Sequence, residues 1–355
     1  MLYFSSCTVQ MNADHKTSEN NIVKKEIGTV VSEMEKDIWS VFQDSKNNYW
    51  FGSKSNGVYK FNNKELRHFT TEDGLAGDSS LGFQEDKNGN IYFDTRGGVT
   101  KYNGEKLETL TVAKEKGVWK LEEGDLWFRG SNFDTNGPFR YDGEKLYALT
   151  FPSPPIVDTF YMYNPGATYT PFGIYDHYKD SRGHMWFGTA SAGLCRYDGE
   201  TVSWLYEKHL DITPEGGAFG IRSIFEDKNG DFWFCNPTYR YEIEPGSQKK
   251  KDRHFLNYKR KKGAIELDEN GEEVTDPLYF MSILEDDAGD LWGLTYGEGL
   301  WKKEGEELVQ YRIEENGQTV FLFGLYKDRK GKLFATSHEH GVYTYDSGKF
   351  EPLKL

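Results

Sequence analysis

One short unit recurs along the chain, and this repeat constrains the fold more than any other feature. Each copy has a bulky aromatic residue that opens a short strand, with a polar turn before it and a Gly-containing hairpin after it. The seven aromatic residues are Trp50, Tyr92, Trp127, Trp186, Trp233, Trp292 and Phe334. Their spacings are 42, 35, 59, 47, 59 and 42 residues, and the commonest spacing is typical of a four-stranded propeller blade. The sequence therefore predicts an all-β, seven-bladed β-propeller with about four antiparallel strands per blade.

The polar turn before the aromatic residue has a clear stereochemical logic. It reads Asp180-Ser181-Arg182-Gly183 in one copy and recurs at 86–89, 227–230, 286–289 and 328–331. Asp at the first position accepts backbone N–H bonds, and Gly at the fourth takes a left-handed conformation. The third copy is one residue short, reading Glu122-Glu123-Gly124. A calcium loop would need a bidentate Glu after such oxygen ligands, and none follows, so we expect no metal.

The strand before each turn keeps one position small or short. These residues are Ser40, Gly82, Asp176, Ser223, Ser282 and Gly324. A radial arrangement of sheets is most crowded at its innermost strands, so this pattern predicts that these strands line the axis.

The domain boundaries follow from the extent of the repeat. Residues 22–355 are predicted to form a single propeller with insertions near 151–171 and 244–276, and residues 1–21 to form a disordered tether. Val320–Leu355 is long enough to supply four strands by itself, whereas Ile27–Val31 is expected to pair with the first or the last blade. Either arrangement removes exposed strand edges.

The charge balance bears on partners. The chain has 43 Lys and Arg against 57 Asp and Glu, a net charge of −14, which disfavours nucleic acid as a partner. No apolar stretch approaches the ~20 residues that cross a bilayer. A local run of basic residues between Lys249 and Lys262 fits a solvated hairpin or an anion contact.

The three cysteines differ in their surroundings. Their number and spacing predict neither a disulfide framework nor a zinc site, and Cys195 and Cys235 fall within predicted strands. Cys7 ends the run Met1-Leu2-Tyr3-Phe4-Ser5-Ser6-Cys7, which is similar to the end of a bacterial lipoprotein signal without its charged region. A remnant lipid anchor at Cys7 and a chance Cys in an unstructured start both fit. We expect membrane association only through such an anchor.

The repeat also resembles a known family. Asp-x-x-Gly-x-x-Trp-Phe-Gly-Thr, a Gly-Leu pair and Arg-Tyr-Asp-Gly, as they stand from Asp180 to Gly199, are similar to the two-component regulator propeller repeat. The similarity covers nearly the whole chain after Asp37. It implies a periplasmic or outer-membrane-associated sensor propeller of the kind found in Bacteroidetes, where many such sensors detect polysaccharide fragments. No kinase or receiver sequence accompanies the propeller in this chain.

Propeller topology predicts where a ligand binds. Loops that enter the inner strand and turns between the second and third strands share one face around the axis. Aromatic rings there suit the apolar faces of sugars, and Arg and carboxylate groups suit hydroxyls. The predicted ligand-binding residues are Trp39, Arg96, Trp119, Arg129, Tyr175, Arg222, Tyr239, Tyr296, Glu298 and His338. We expect a small-molecule or oligosaccharide ligand, or a partner protein, and no cofactor.

Catalysis is the third functional class that the sequence leaves open. His338-Glu339-His340 stands at a hairpin, and streptogramin lyases are propellers that use His and Glu at their centre. No second His-Glu set is visible, so we assign no catalytic residue. The three hypotheses are an extracytoplasmic glycan-binding or sensor-like module, a protein–protein interaction scaffold, and a lyase-like enzyme.

Overall fold

The computed structural model describes most of the chain. The described residues are 27–130, 136–152, 162, 170–207, 210, 220–235, 238–264, 279–295, 297–305 and 307–355. The elements with described bounds are β-strands and one 3-10 turn at Thr71–Asp73, and Met162 and Leu210 have α-helical backbone among the described residues. The all-β prediction is therefore confirmed. The predicted N-terminal tether and nearly all of the insertion at 151–171 lie outside the described residues, as does Cys7.

The strands follow one another in antiparallel sheets. The first sheet has β1 (Thr29–Val31), β2 (Ile38–Gln43), β3 (Tyr49–Ser53), β4 (Val58–Phe61) and β5 (Leu66–Phe69). The second has β6 (Ser80–Glu85), β7 (Ile91–Thr95), β8 (Gly98–Tyr102) and β9 (Leu107–Thr109). The third has β10 (Leu126–Phe128), β11 (Phe139–Tyr141) and β12 (Leu146–Ala148). Within each of these three sheets consecutive strands pair with each other, except that β1 pairs with β5.

The second half of the chain continues in the same way. An eight-stranded sheet joins β13 (Ile174–Lys179), β14 (Met185–Thr189), β15 (Leu194–Tyr197), β16 (Val202–Leu205), β17 (Ile224–Glu226), β18 (Phe232–Phe234), β19 (Tyr239–Lys250) and β20 (Arg253–Lys262). A further sheet has β21 (Ser282–Glu285), β22 (Leu291–Leu294), β23 (Leu300–Glu304) and β24 (Glu307–Tyr311). After the hairpin of β25 (Glu314–Glu315) and β26 (Gln318–Thr319) come β27 (Leu322–Lys327), β28 (Leu333–Ser337), β29 (Val342–Asp346) and β30 (Lys349–Pro352).

The polar turn of the repeat is held by its first residue. In the fourth copy, Asp180 Oδ1 accepts the backbone N–H groups of Arg182 at 3.0 Å and His184 at 2.7 Å. Its Oδ2 accepts the indole N–H of Trp186 at 2.8 Å. Gly183 has a φ of 85°, the left-handed conformation that the turn requires. The carboxylate therefore ties the turn both to itself and to the core.

The same bond recurs in other copies. The indole N–H groups of Trp50, Trp233 and Trp292 donate to Asp44, Asp227 and Asp286 at 2.9, 3.0 and 2.8 Å. In the second copy the Tyr92 hydroxyl replaces the indole and lies 3.1 Å from Asp86.

The aligned aromatic side chains form the core between sheets, as predicted. Their relative exposures are Trp50 1%, Tyr92 1%, Trp127 2%, Trp186 0%, Trp233 4%, Trp292 0% and Phe334 2%. Each large ring removes apolar area from water, and this burial is the main favourable contribution to folding.

The third copy departs from the expected four strands. Its sheet has only three strands in the described residues, and the segment before its shortened turn forms no strand there. The carboxylate that bonds to the core is Asp125, two residues before Trp127, and its partner is the guanidinium of Arg140 at 2.6 Å instead of an indole. A shorter turn thus changes the local bonding pattern.

The basic run between Lys249 and Lys262 belongs to a long hairpin. Strands β19 and β20 are longer than the other strands of the chain that the structure describes. Strand β20 also pairs in parallel with β16 of the preceding copy, through Ser203 and His254. Part of its positive charge is paired, since Lys259 lies 2.6 Å from Glu244. The solvated-hairpin interpretation is therefore the better one, with the addition that the hairpin joins two copies of the repeat. The rest of the predicted insertion, from 265 to 276, lies outside the described residues.

The last copy contacts the first. Strand β2 packs against β27 and β28, the Tyr49 hydroxyl donates to Asp328 at 2.7 Å, and the Tyr326 hydroxyl accepts the Gln43 N–H at 2.8 Å. Strand β1 pairs with β5 of the first sheet, whereas the last sheet uses four strands from its own segment. The first and last sheets therefore contact each other through these side chains and through the Gly341 N–H, which donates to the Lys36 carbonyl at 2.7 Å, and not through a shared strand.

The turn carboxylate should be a large contributor to stability. We expect Asp180→Ala to lower the free energy of unfolding by about 2–4 kcal/mol, because it leaves buried backbone and indole N–H donors without an acceptor. Asn103→Ala, in the hairpin turn of the second copy, removes bonds to the exposed backbone of Glu105 and Lys106 and should cost under about 1 kcal/mol. Urea denaturation followed by tryptophan fluorescence compares the two. Equal losses would contradict the role of the indole bond.

The contact between the first and last sheets offers a second test. Tyr49→Phe removes only the hydroxyl that donates to Asp328, and we expect it to lower the free energy of unfolding by about 1–2 kcal/mol. Tyr147→Phe is the matched control, since the Tyr147 hydroxyl makes no hydrogen bond with the described residues. Thermal denaturation of both variants measures the difference, and a Tyr49 variant as stable as the control would show that this contact is dispensable.

Candidate functional site

A cavity of about 440 Å³ opens where the copies of the repeat meet. It lies at the start of the inner strands, and every copy of the repeat contributes to its lining. The inner-strand residues that line it include Ser40, Ser80, Asp176, Ser223, Ser282 and Gly324. Five of the six residues predicted to occupy the crowded innermost position are in this set. Gly82 is the exception, because in its strand Ser80 and Leu81 line the cavity instead.

Half of the predicted ligand-binding residues line this cavity. They are Trp39, Arg96, Arg129, Tyr175 and Arg222. The Arg222 guanidinium lies 4.2 Å from the centre of the Tyr175 ring, and that of Arg96 lies 5.5 Å from the Trp39 ring. Cations over aromatic faces are attracted by the ring quadrupole, so the rings help to orient the arginines.

His338 supports the cavity wall without lining it. Trp39 stacks on Phe323 with ring centres 4.5 Å apart. The His338 ring meets Phe323 edge-on at 5.2 Å, and its Nδ1 lies 3.3 Å from a carboxylate oxygen of Asp37.

Three predicted residues lie elsewhere. Trp119 packs against Trp127 and Phe187 between sheets, because the segment before the shortened third turn does not form an inner strand. Tyr239 begins the long hairpin and lies under Arg260 at 5.0 Å. Glu298 is exposed on a hairpin turn, 3.3 Å from an Arg312 nitrogen. Their offsets from the aligned aromatic residue do not place them at the cavity, because these copies of the repeat are irregular. Tyr296 lies outside the described residues.

Asp94 is a buried carboxylate beside the cavity that the sequence interpretation missed. It is 3% exposed, and its Oδ2 accepts the Arg129 backbone N–H at 2.9 Å. Burial raises its pKa to about 6, against the opposing effects of this hydrogen bond and of the Arg129 charge. The signal was available: Asp94 and Arg129 stand two residues after their aligned aromatics, where the first and fourth copies have Gly52 and Gly188.

A second carboxylate and a histidine flank Arg129 on the other side. Asp176 Oδ2 accepts the Ile224 N–H at 2.9 Å, and its Oδ1 accepts the His177 N–H at 2.9 Å. Burial raises the pKa of Asp176 to about 6, and the Arg129 charge opposes this shift. Burial, and then the same charge, lower the pKa of His177 to about 3, so His177 is neutral at neutral pH.

The tripeptide His338-Glu339-His340 does not form one site. His338 faces Asp37, whereas His340 Nδ1 lies 3.0 Å from Glu315 on the β25–β26 hairpin. Glu339 has a φ of 64°, so the chain turns between the two histidines and their side chains do not share a face as they would in a strand. Among the described residues, no group of three His, Cys, Asp or Glu side chains could hold a metal ion.

A shallow depression lies at the opposite ends of the inner strands. It is lined by residues that include Tyr178, Lys228 and Lys327. Tyr178 and Tyr175 stand on the same strand, β13, but at its two ends. The two surfaces therefore offer a matched pair for mutagenesis.

Comparison with known proteins supports the resemblance that the repeat predicts. No protein-family model matches the sequence. A curated relative, histidine kinase P4 of Formosa agariphila, is 24% identical over 314 residues, which are 84% of this chain and 20% of the kinase. The chain thus spans about a fifth of the length of that curated relative.

Solved structures show the same fold. The extracellular domain of a putative hybrid two-component system from B. thetaiotaomicron has a TM-score of 0.60 and 18% identity, covering 91% of this chain and 40% of that one. The chain has the fold of these two-component sensor propellers. A catalytically inactive variant of virginiamycin B lyase from Staphylococcus aureus, solved with quinupristin, has a TM-score of 0.58 and 13% identity, covering 89% of this chain and 97% of that one. The described residues contain no helix that would cross a bilayer.

Ionisation of Asp94 should appear in the pH dependence of stability. Its folded-state pKa of about 6 lies above the ordinary value of 3.8. The native state therefore holds a proton that the unfolded chain releases, and this contribution is lost as the pH rises from 4 through 6. Asn cannot ionise, so Asp94→Asn should gain stability relative to the wild type over that range, by up to about 3 kcal/mol.

Urea denaturation at pH 4.5, 6 and 7.5 measures this gap. Ser80→Ala, a neighbouring change without a titratable group, should differ from the wild type by the same amount at each pH. A constant gap for Asp94→Asn would contradict the buried-carboxylate interpretation.

Proposed function

We propose that the chain is a seven-bladed propeller that works as an extracytoplasmic, sensor-like ligand-binding module. Seven copies of the repeat can be followed through the described residues, and the last copy contacts the first. The likeness to extracellular domains of two-component systems supports both the ring and a periplasmic or outer-membrane-associated location. Anchoring through Cys7 is part of the same proposal.

The cavity carries the functional part of the proposal. It combines aromatic rings from Trp39, Tyr175 and Phe323 with the guanidinium groups of Arg129 and Arg222. Its volume of about 440 Å³ lies within the range of small-molecule sites, which combine apolar walls with a few placed polar groups. Aromatic rings suit the apolar faces of sugar rings, so glycan fragments are the ligand class that we propose.

A protein–protein scaffold is the alternative function, but it has less support from the geometry. A scaffold requires a broad exposed surface, whereas the polar and aromatic residues described above converge on a concave site. A lyase-like activity has support only from overall fold likeness, because His338 and His340 bind separate carboxylates.

A glycan array followed by calorimetric titration of the best binder tests the proposal. We expect Tyr175→Ala to weaken binding by about tenfold or more, because it removes a stacking surface from the cavity. Tyr178→Ala removes the same side chain from the opposite end of strand β13 and is the control that should bind as the wild type does. Circular dichroism checks that both variants remain folded.

The outcomes separate the parts of the proposal. Equal binding by the two variants would place the ligand outside the cavity. Absence of binding to every glycan on the array would overturn the glycan class. Consumption of the bound ligand by the wild-type protein would favour the lyase alternative.

A further inference from the structure

The cavity is rich in buried hydrogen-bond donors that have no partner among the described residues. Three of them are the Oγ atoms of Ser80 and Ser223 and the Nε atom of Arg129. Ser80 is 0% and Ser223 3% exposed, and both line the cavity. The indole N–H of Trp39, on the same lining, is also buried without a partner among those residues. Buried polar groups in native proteins are nearly always bonded, so this cluster indicates a ligand that supplies acceptors.

The charges around the cavity also favour a ligand that supplies acceptors, because most of them are positive. Its lining carries the guanidinium groups of Arg96, Arg129 and Arg222 against the single carboxyl of Asp176. This excess of positive charge contrasts with the net charge of −14 for the whole chain. Both Asp176 oxygens already accept backbone N–H groups.

Arg129 is the residue best placed to bind an anion. Its backbone N–H is anchored on the buried Asp94 carboxylate, and it has no ion pair within 4 Å in the described residues, unlike Arg140 and Arg196. Arginine presents a fork of donors that matches a carboxylate or sulfate with two parallel bonds. With no ion pair in the described residues, the Arg129 guanidinium can take an anionic group of a ligand as its partner.

We propose that the central cavity binds a ligand that carries a carboxylate or sulfate group, with that group seated on Arg129 and an attached ring against Tyr175. The proposal rests on the ligand-binding function proposed above and specifies its chemistry. Ser80, Ser223 and the Trp39 indole donate to the remaining acceptors of the ligand. The preferred ligands are therefore acidic saccharides, either uronate-containing or sulfated.

Matched pairs of probes test the charge requirement. Trigalacturonate is compared with its methyl ester, and a sulfated disaccharide with its desulfated form, by isothermal titration calorimetry in 50 mM salt. We expect the charged member of at least one pair to bind about tenfold or more tightly than its neutral counterpart. The pair that shows this preference distinguishes a carboxylate from a sulfate. Neutral members that bind as tightly as charged ones would overturn the inference and leave the proposed function standing, whereas absence of binding by all four probes would count against both.

Variants then locate the charge recognition. Arg129→Gln should lose about tenfold or more in affinity for the charged probe and keep its affinity for the neutral one, while Arg129→Lys should retain part of the preference. Arg182→Gln, an exposed arginine on the turn at the other end of strand β13, is the matched control and should behave as the wild type does. Equal losses for charged and neutral probes in Arg129→Gln would mean that Arg129 is only structural, and would overturn the inference.

Discussion

The bond from a buried turn carboxylate to an aromatic side chain six residues later is the interaction on which the rest of the structure depends. A buried carboxylate is costly unless its lone pairs are satisfied. At Asp180 the backbone of Arg182 and His184 takes one oxygen and the Trp186 indole takes the other. One side chain thus closes the turn, fixes the start of the next strand and orients the largest ring of the core. The distances between copies of the repeat vary, but in five of the seven copies this bond holds the ring between neighbouring sheets.

The copies that lack the indole show how strongly this carboxylate needs a partner. In the last copy Phe334 has no donor, and the Tyr49 hydroxyl of the first copy donates to Asp328 instead. The turn carboxylate of the last copy lacks the local bond and instead contacts the first copy of the repeat. In the third copy the shortened turn moves the carboxylate to Asp125, and Arg140 neutralises it. The first partner comes from another copy, and the second comes from the next strand of the same copy.

Much of the architecture could be predicted because the repeat is formed by interactions between residues that are close together in the sequence. The Asp-to-Gly turns, the buried aromatic positions and the strands between them depend on residues within one copy. The predictions that the structure does not bear out concern residues whose positions depend on irregular copies or on contacts between copies. Trp119 does not lie on the predicted binding face, because the third copy of the repeat is irregular. Tyr239 does not lie there either, because it begins a long hairpin whose length the repeat does not predict. Asp94 was missed because its burial depends on Arg129 of the next copy. Contacts between copies are not visible in the spacing of one copy.

The position two residues after the aligned aromatic residue explains why charged groups are distributed unequally around the cavity. A side chain at Gly52 would collide with Ser80 Oγ, and one at Gly188 would collide with the Ile221 carbonyl oxygen. These copies keep Gly because the next inner strand comes too close for anything larger. The second and third copies place Asp94 and Arg129 at this position, so the neighbouring strands must leave room for them. The three-stranded sheet of the third copy provides that room. The irregular third copy therefore adds Arg129 to the charged residues Arg96, Asp176 and Arg222 that other copies bring to the cavity.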